Sequence, residues 1–189
     1  MLGVVVLHSA LGKRANEADA VRRLQGAGLE VTAPDLYHGT VVDTYEQGVA
    51  VRDRIKRDVL LTRAAQALPA TPDRLAIIGF SLGAALGQEL AATDARVDTL
   101  VLIAGASDDP PAAPRASIQF HAKQTDDWIG SDADIDNWAA TQRTAGAHVD
   151  IYRYRGAGHL FTDSTLDAYD ADAADLLWRR ALALLHRRS

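Results

Sequence analysis

The chain has 189 residues, a length at which a single domain buries a full core. Apolar residues make up 48% and charged residues 24% of the sequence, which is typical of an ordinary globular protein. The formal net charge of -5 is spread along the chain, without a basic run that could follow a phosphate backbone. These totals argue against a nucleic-acid-binding protein. The lack of cysteine excludes disulfides, thiolate catalysis and cysteine-ligated metals.

Targeting and metal-binding signals are missing as well. Residues 1–7 contain no basic segment, and their apolar run is too short for a signal peptide or a membrane helix. We therefore expect a cytoplasmic protein that binds neither membranes nor nucleic acid. The six histidines are scattered with no paired-ligand spacing, so neither a metal nor a cofactor is expected.

Strand-like apolar runs alternate with helical patterns along the whole chain. Strands are predicted at 4–7, 29–33, 75–78, 99–103, 118–121 and 149–154. Helices are predicted at 16–27, at 43–68, from 82 onwards, at 132–145, and from a capping box at 164–167 onwards. This alternation indicates one α/β domain over residues 1–189, with a mainly parallel sheet covered by helices on both faces. The loop at 104–117 is too short for a cap domain.

A serine stands between the third predicted strand and the helix after it. The strand runs directly into Gly79-Phe80-Ser81-Leu82-Gly83, and leucines then recur every four residues. Strand, sharp turn and helix with a serine at the apex are the pattern of a nucleophile elbow, in which small residues give the strand and helix room to approach. The alternative is a buried strand and an ordinary helix with a chance pair of glycines.

Other polar residues follow the ends of later strands, where ligands bind in such a sheet. A serine nucleophile needs a base to take its proton, and the base needs an acid to orient it. His159 follows the last strand and is the best candidate for the base. Asp126 or Asp127 follows the strand before it and could supply the acid.

Further residues complete the predicted site. Backbone N–H groups of Leu82 and Ala10 are expected to form the oxyanion hole, since one follows the nucleophile and the other lies in the loop after the first strand. His8 is expected to brace that loop. Tyr37 and Trp128 are candidate aromatic residues at the rim of an open or shallow substrate pocket.

The sequence resembles the dienelactone hydrolase family of the α/β-hydrolases. The segments that carry the resemblance are 4–12, 33–37, 79–83, 121–128 and 156–161. The resemblance implies an α/β-hydrolase fold, a nucleophile at Ser81, an acid at Asp126 and a base at His159. Asp127 stands where members often have proline, which favours Asp126 over its neighbour.

Three positions depart from the family pattern. Dienelactone hydrolases have a cysteine nucleophile, a glutamate after the first strand that activates it, and an arginine after the histidine that holds a substrate carboxylate. This chain has Ser81, Ser9 and Asp163 at those places. The resemblance therefore implies an ordinary Ser-His-Asp mechanism, and a dianionic dienelactone is not the expected substrate.

These residues predict a serine hydrolase that cleaves small carboxylic esters or lactones through an acyl-enzyme. Thioester hydrolysis or acyl transfer by the same three residues is an alternative. A second alternative is a catalytically inactive module that kept the elbow and binds a ligand.

Overall fold

The computed structural model describes residues 2–107 and 115–188. The strands in this part of the chain are β1 (Leu2–Leu7), β2 (Glu30–Thr32), β3 (Arg74–Phe80), β4 (Val97–Ile103), β5 (Ser117–Thr125) and β6 (His148–Ala157). The helices are α1 (Ala15–Gly26), α2 (Tyr45–Ile55), α3 (Arg57–Gln66), α4 (Leu82–Thr93), α5 (Asp132–Thr144) and α6 (Ala171–Arg188). Of the loop predicted at 104–117, residues 108–114 lie outside the described part.

The strands form one parallel sheet in the order β2-β1-β3-β4-β5-β6. The prediction of a mainly parallel sheet is confirmed. Strands β1, β3 and β4 lie in the interior of the sheet and read as continuous apolar runs, because both of their faces are covered. Parallel pairing brings the carboxyl ends of all these strands to one edge, where the polar residues collect.

Apolar layers cover both faces of the sheet. Helices α1 and α6 pack on one face, and α2, α3, α4 and α5 pack on the other. Side chains of β1 alternate between the layers, with Val4 and Val6 facing the first and Val5 and Leu7 facing the second. No helix in the described ranges is long and apolar enough to cross a lipid bilayer.

The helical pattern predicted at 43–68 forms two helices rather than one. The break falls at Lys56, whose φ of 79° ends α2 and starts α3. Val51 of α2 and Leu60 of α3 are both buried. These residues are nine apart, which is about two and a half helical turns, so a continuous helix would point them in opposite directions. The break lets both face the sheet.

The last helix begins later than predicted. Ser164 does not cap it, and α6 starts at Ala171, where the Asp170 carboxylate accepts a hydrogen bond from the Ala173 N–H at 3.0 Å. The residues before it form consecutive turns, because the Asp163 side chain accepts hydrogen bonds from the Thr165 N–H and hydroxyl at 2.9 and 2.6 Å. Strand β5 is also longer than predicted and runs to Thr125.

Candidate active site

Ser81 lies at the apex of a strained turn between β3 and α4. Its φ of 50° and ψ of -107° are rare for a residue with a side chain, and such strain persists only where the surroundings impose it. The Ser81 N–H donates to the Ile103 carbonyl at 2.8 Å, and the Ala84 N–H donates to the Ser81 carbonyl at 3.0 Å. These bonds hold the turn between β4 and the first turn of α4.

Close backbone approaches explain the two glycines of the elbow. A Cβ at Gly79 would collide with the backbone of Gly83 and Ala84, and a Cβ at Gly83 would collide with the carbonyl groups of Leu7 and His8. The helix therefore comes down directly onto β3 and onto the end of β1. This contact brings the loop after β1 beside Ser81.

His159 connects Ser81 to Asp126. Its Nε2 lies 2.9 Å from the Ser81 Oγ, and its Nδ1 lies 3.0 and 2.8 Å from the two Asp126 oxygens. Because a carboxylate only accepts hydrogen bonds, the proton of the neutral imidazole is assigned to Nδ1, which leaves Nε2 to accept from the serine hydroxyl. The side chains of His159 and Asp126 are 4% and 0% exposed. Asp127 is exposed and stays out of this arrangement.

The sheet brings the acid and histidine loops together. Thr125 at the end of β5 pairs with Ala157 at the end of β6. The Gly158 N–H then donates to the Thr125 carbonyl at 2.9 Å, and Gly158 adopts a φ of 125°, which glycine tolerates best. The chain turns back at this point and directs His159 over the elbow.

His8 braces the loop after β1, as predicted. Its Nε2 accepts from the Leu36 N–H at 3.0 Å, so the proton lies on Nδ1, which donates to the Ser9 carbonyl at 2.7 Å. Burial lowers the pKa of His8 and keeps the ring neutral. Ala10, in the braced loop, and Leu82, the first residue of α4, both line a cavity of about 170 Å³ above Ser81.

Trp128 and Tyr37, the two predicted rim aromatics, have different locations. Trp128 is 44% exposed and lines the cavity beside His159. Tyr37 is 3% exposed, packs edge-on against His8, and is absent from the cavity wall. The prediction of Tyr37 as a rim residue therefore does not match its position, because Tyr37 and its neighbour Leu36 pack into the buried apolar cluster on one face of the sheet.

Tyr45 lines the cavity and is the aromatic residue that the sequence reasoning missed. Its hydroxyl donates to the His159 carbonyl at 3.2 Å, and its ring lies 5.1 Å from the rings of both His159 and Trp128. Burial raises the pKa of Tyr45 to about 12, so the hydroxyl remains a donor at neutral pH. In the sequence, Tyr45 was marked only as one of the apolar residues spaced by three or four in the helix predicted at 43–68.

Each arginine that lines the cavity forms an ion pair with a neighbouring carboxylate. Arg52 and Arg57 reach the cavity from α2 and α3 and were also missed. Arg57 forms an ion pair with Glu89, and Arg52 lies 2.8 Å from Asp53. The cavity therefore carries little uncompensated charge.

Asp163, which stands where the related family has an arginine, is turned away from solvent. Its side chain is 3% exposed and lies 3.4 Å from the guanidinium group of Arg14. The backbone N–H of Arg14 also donates to the Glu17 carboxylate at 2.7 Å, and burial raises the pKa of Glu17 to about 7. Asp163 thus ties the histidine loop to the start of α1.

Comparison with known proteins shows the family of this chain. The dienelactone hydrolase family matches the chain over residues 1–189. The chain belongs to the dienelactone hydrolase family.

Individual relatives support the same fold. The solved structure of the dienelactone hydrolase-like promiscuous phosphotriesterase P91 from metagenomic libraries superposes with a TM-score of 0.83 at 23% identity, covering 99% of this chain and 86% of that one. A second structure, m3DLH, gives a TM-score of 0.78 at 25% identity, covering 97% and 86% of the two chains. The predicted α/β-hydrolase fold is therefore confirmed.

A curated Bradyrhizobium sp protein is similar in sequence. It is named "Probable 2-oxo-3-(5-oxofuran-2-ylidene)propanoate lactonase" and is 32% identical over 125 residues, or 60% of this chain. The match spans 50% of the relative's length.

Proposed function

We propose that the protein hydrolyses small carboxylic esters or lactones with Ser81 as nucleophile, His159 as general base and Asp126 as the acid that orients it. The observation that carries the proposal is the hydrogen-bonded series from Ser81 Oγ through His159 to Asp126. Membership of the dienelactone hydrolase family and similarity to a named lactonase support the same chemistry.

In the proposed first half-reaction, Ser81 Oγ attacks the ester carbonyl while its proton passes to His159 Nε2. The carbonyl oxygen becomes negatively charged, and the N–H groups of Leu82 and Ala10 stabilise it. The tetrahedral intermediate then expels the alcohol, which takes the proton from Nε2 and leaves an acyl group on Ser81. Asp126 keeps the other imidazole proton on Nδ1 and stabilises the imidazolium that forms between these steps.

The second half-reaction releases the acid. A water molecule gives a proton to His159 Nε2 and attacks the acyl carbonyl, and the intermediate collapses to a carboxylic acid and free Ser81 as the proton returns to Oγ. For a lactone, the alcohol and the acid belong to one molecule, so the product is a hydroxy acid. The paired charges around the cavity favour an uncharged ester or lactone.

The proposal includes one domain over residues 1–189, a cytoplasmic location and no cofactor.

A fluorophosphonate probe tests the proposed chemistry directly. The serine hydroxyl is activated only where a base accepts its proton, so we expect phosphonylation of Ser81 at neutral pH. Peptide mass spectrometry would place the label. An unlabelled protein, or a label spread over exposed serines, would contradict the proposal and favour an inactive module. Assays of short esters, lactones and thioesters would then show which leaving group is preferred.

Gly48 offers a test of the proposed oxyanion loop. A Cβ at this position in α2 would lie 2.6 Å from the Ala10 carbonyl oxygen, so Gly48→Ala should push the loop away from Ser81. We expect kcat/KM for a short ester to fall by about tenfold or more, since one lost oxyanion donor typically costs more than that. Overpacking should also lower the free energy of unfolding by about 1–3 kcal/mol.

Gly26→Ala is the matched control. Gly26 lies at the end of α1, and a Cβ there would meet nothing within 4 Å. We expect unchanged ester turnover and stability that is equal or slightly higher. Equal activity in the two variants, measured by initial rates beside denaturant unfolding, would show that Ala10 does not assist the reaction.

A further inference from the structure

A second, larger cavity adjoins the one above Ser81. Its volume is about 380 Å³, and it shares Gly105, Ala106 and Trp128 with the smaller cavity. Phe120 of β5 and Ile135 and Trp138 of α5 form its deeper wall, and Ile129 lies at its side. Cavities that hold small-molecule ligands usually measure about 300–1,000 Å³, so the cavity above Ser81 is too small to hold a whole substrate of ordinary size by itself.

Hydrogen bonds and ring contacts hold the walls of the second cavity in place. Gln88 of α4 is fully buried, and its Oε1 accepts from the Ser107 N–H at 3.1 Å and from the Trp138 Nε1–H at 3.4 Å. The Phe120 and Trp138 rings pack at 5.4 Å. One side-chain oxygen thus fixes both the loop after β4 and the indole of α5, so the cavity exists before a ligand enters.

Most side chains in the described wall of this cavity are apolar, although polar atoms contribute somewhat more than half of its exposed surface. Asp134 is the charged residue in its described wall, and its carboxylate accepts from the Ser131 N–H and hydroxyl at 2.8 and 2.6 Å. These hydrogen bonds lower the pKa of Asp134, the third residue of α5, which forms a capping box with the N-cap residue Ser131. Ser107 and two glycines also line the cavity, and its aromatic and aliphatic side chains suit an uncharged ring or branched chain.

The position of His159 decides which part of an ester faces the second cavity. His159 lines the smaller cavity and is absent from the wall of the larger one. The leaving alcohol must take its proton from His159 Nε2, so the alcohol belongs in the smaller cavity. The acyl group, on the other side of the carbonyl carbon, then extends past Gly105 and Ala106.

We propose that the second cavity, here named the acyl cavity, binds the acyl group of the substrate and selects aromatic or branched apolar acyl groups. This inference rests on the proposed ester hydrolysis at Ser81 and adds the substrate class. An acyl group with a phenyl ring gains apolar contact with Phe120, Trp128 and Trp138, whereas an acetyl group leaves the acyl cavity empty.

The test is the ratio of kcat/KM for p-nitrophenyl 3-phenylpropanoate to kcat/KM for p-nitrophenyl acetate. The leaving group is the same in both esters, so the ratio reports only on the acyl group. Wild-type protein should prefer the phenylpropanoate. Ile129→Trp fills the acyl cavity from its side, and we expect it to lower the ratio by about tenfold or more. An unchanged ratio in a folded variant would overturn the acyl cavity.

Val59→Trp is the control, because Val59 is an exposed residue of α3 that lines neither cavity. It should leave the ratio at the wild-type value. If Ile129→Trp does not fold, as judged by thermal melting, Ile129→Phe is expected to lower the ratio in the same direction by a smaller factor.

A binding measurement separates this inference from the proposed function. The product 3-phenylpropanoate should bind wild-type protein in calorimetric titration, and Ile129→Trp should weaken that binding by about tenfold. Absence of turnover of any ester or lactone would refute the proposed function, and the titration would still decide whether the cavity binds such groups. Normal turnover with equal binding in both proteins would refute the acyl cavity alone.

Discussion

Replacement of Ser81 by alanine is expected to lower kcat for a short p-nitrophenyl ester by about a millionfold, to a residual rate above that of the uncatalysed reaction. The expectation follows from the proposed covalent step, since the alanine side chain offers no oxygen to attack the carbonyl. The Ser81 Oγ interacts with His159 at the cavity, so its removal leaves the buried layers on both faces of the sheet intact. Thermal melting should therefore remain close to that of wild type.

Ser164→Ala provides the matched control for this measurement. Ser164 is an exposed residue in the turns before α6, and its loss should leave the rate unchanged. Burst kinetics with wild-type protein, at one equivalent of released p-nitrophenol per chain, would report the acyl-enzyme. Turnover by the Ser81→Ala variant above a few per cent of wild type would refute Ser81 as the nucleophile.

Replacement of Asp126 by asparagine is expected to lower kcat by about ten thousandfold. The Asn side chain can still accept a hydrogen bond from the backbone N–H of Trp128, as the Asp126 carboxylate does at 3.0 Å. Its amide then directs N–H groups at His159 Nδ1, and the imidazole proton moves to Nε2. That tautomer cannot take the proton of Ser81, so the side chains remain in place while the base is lost.

Asp127→Asn removes the same charge one residue further along and serves as the control. Asp127 is exposed, and His159 contacts Asp126 instead. We expect its rate to stay within about twofold of wild type, as for an exposed charge that is screened by solvent. The reverse order of effects would show that the neighbouring carboxylate orients the histidine in solution.

The main parts of this site could be predicted because each follows a strand of a parallel sheet. Apolar runs mark where strands end, so Ser81 and His159 could be assigned to the same edge before any contact was known. The choice between Asp126 and Asp127 could not be made in that way, since both leave the same strand end. The choice depends on the turn in which the backbone N–H of Trp128 donates to the Asp126 carboxylate. Hydrophobic periodicity does not reveal this turn.

The aromatic residues near the site, and the break between α2 and α3, were harder to predict. Tyr45 contacts His159 across 114 positions of the chain, and helical spacing alone does not distinguish it from a core residue. Tyr37 had a better signal, since it follows a strand, yet its ring turns inward against His8. The break at Lys56 depends on which helical faces meet the sheet and therefore on tertiary packing.

Ser81 and His159, the proposed partners in proton transfer, belong to parts of the sheet with unequal support. Ser81 follows β3, which pairs on both sides, whereas His159 follows β6, which pairs with β5 alone in the described sheet. Beyond the backbone bond from Gly158 to Thr125, the histidine loop is held by side-chain contacts, among them Tyr45 to His159 and Arg14 to Asp163. Edge segments open locally at lower free energy than the centre of a fold. Such an opening would separate His159 from Ser81 while the core stays folded, so we expect heating to lower the rate of the proposed reaction before the protein unfolds.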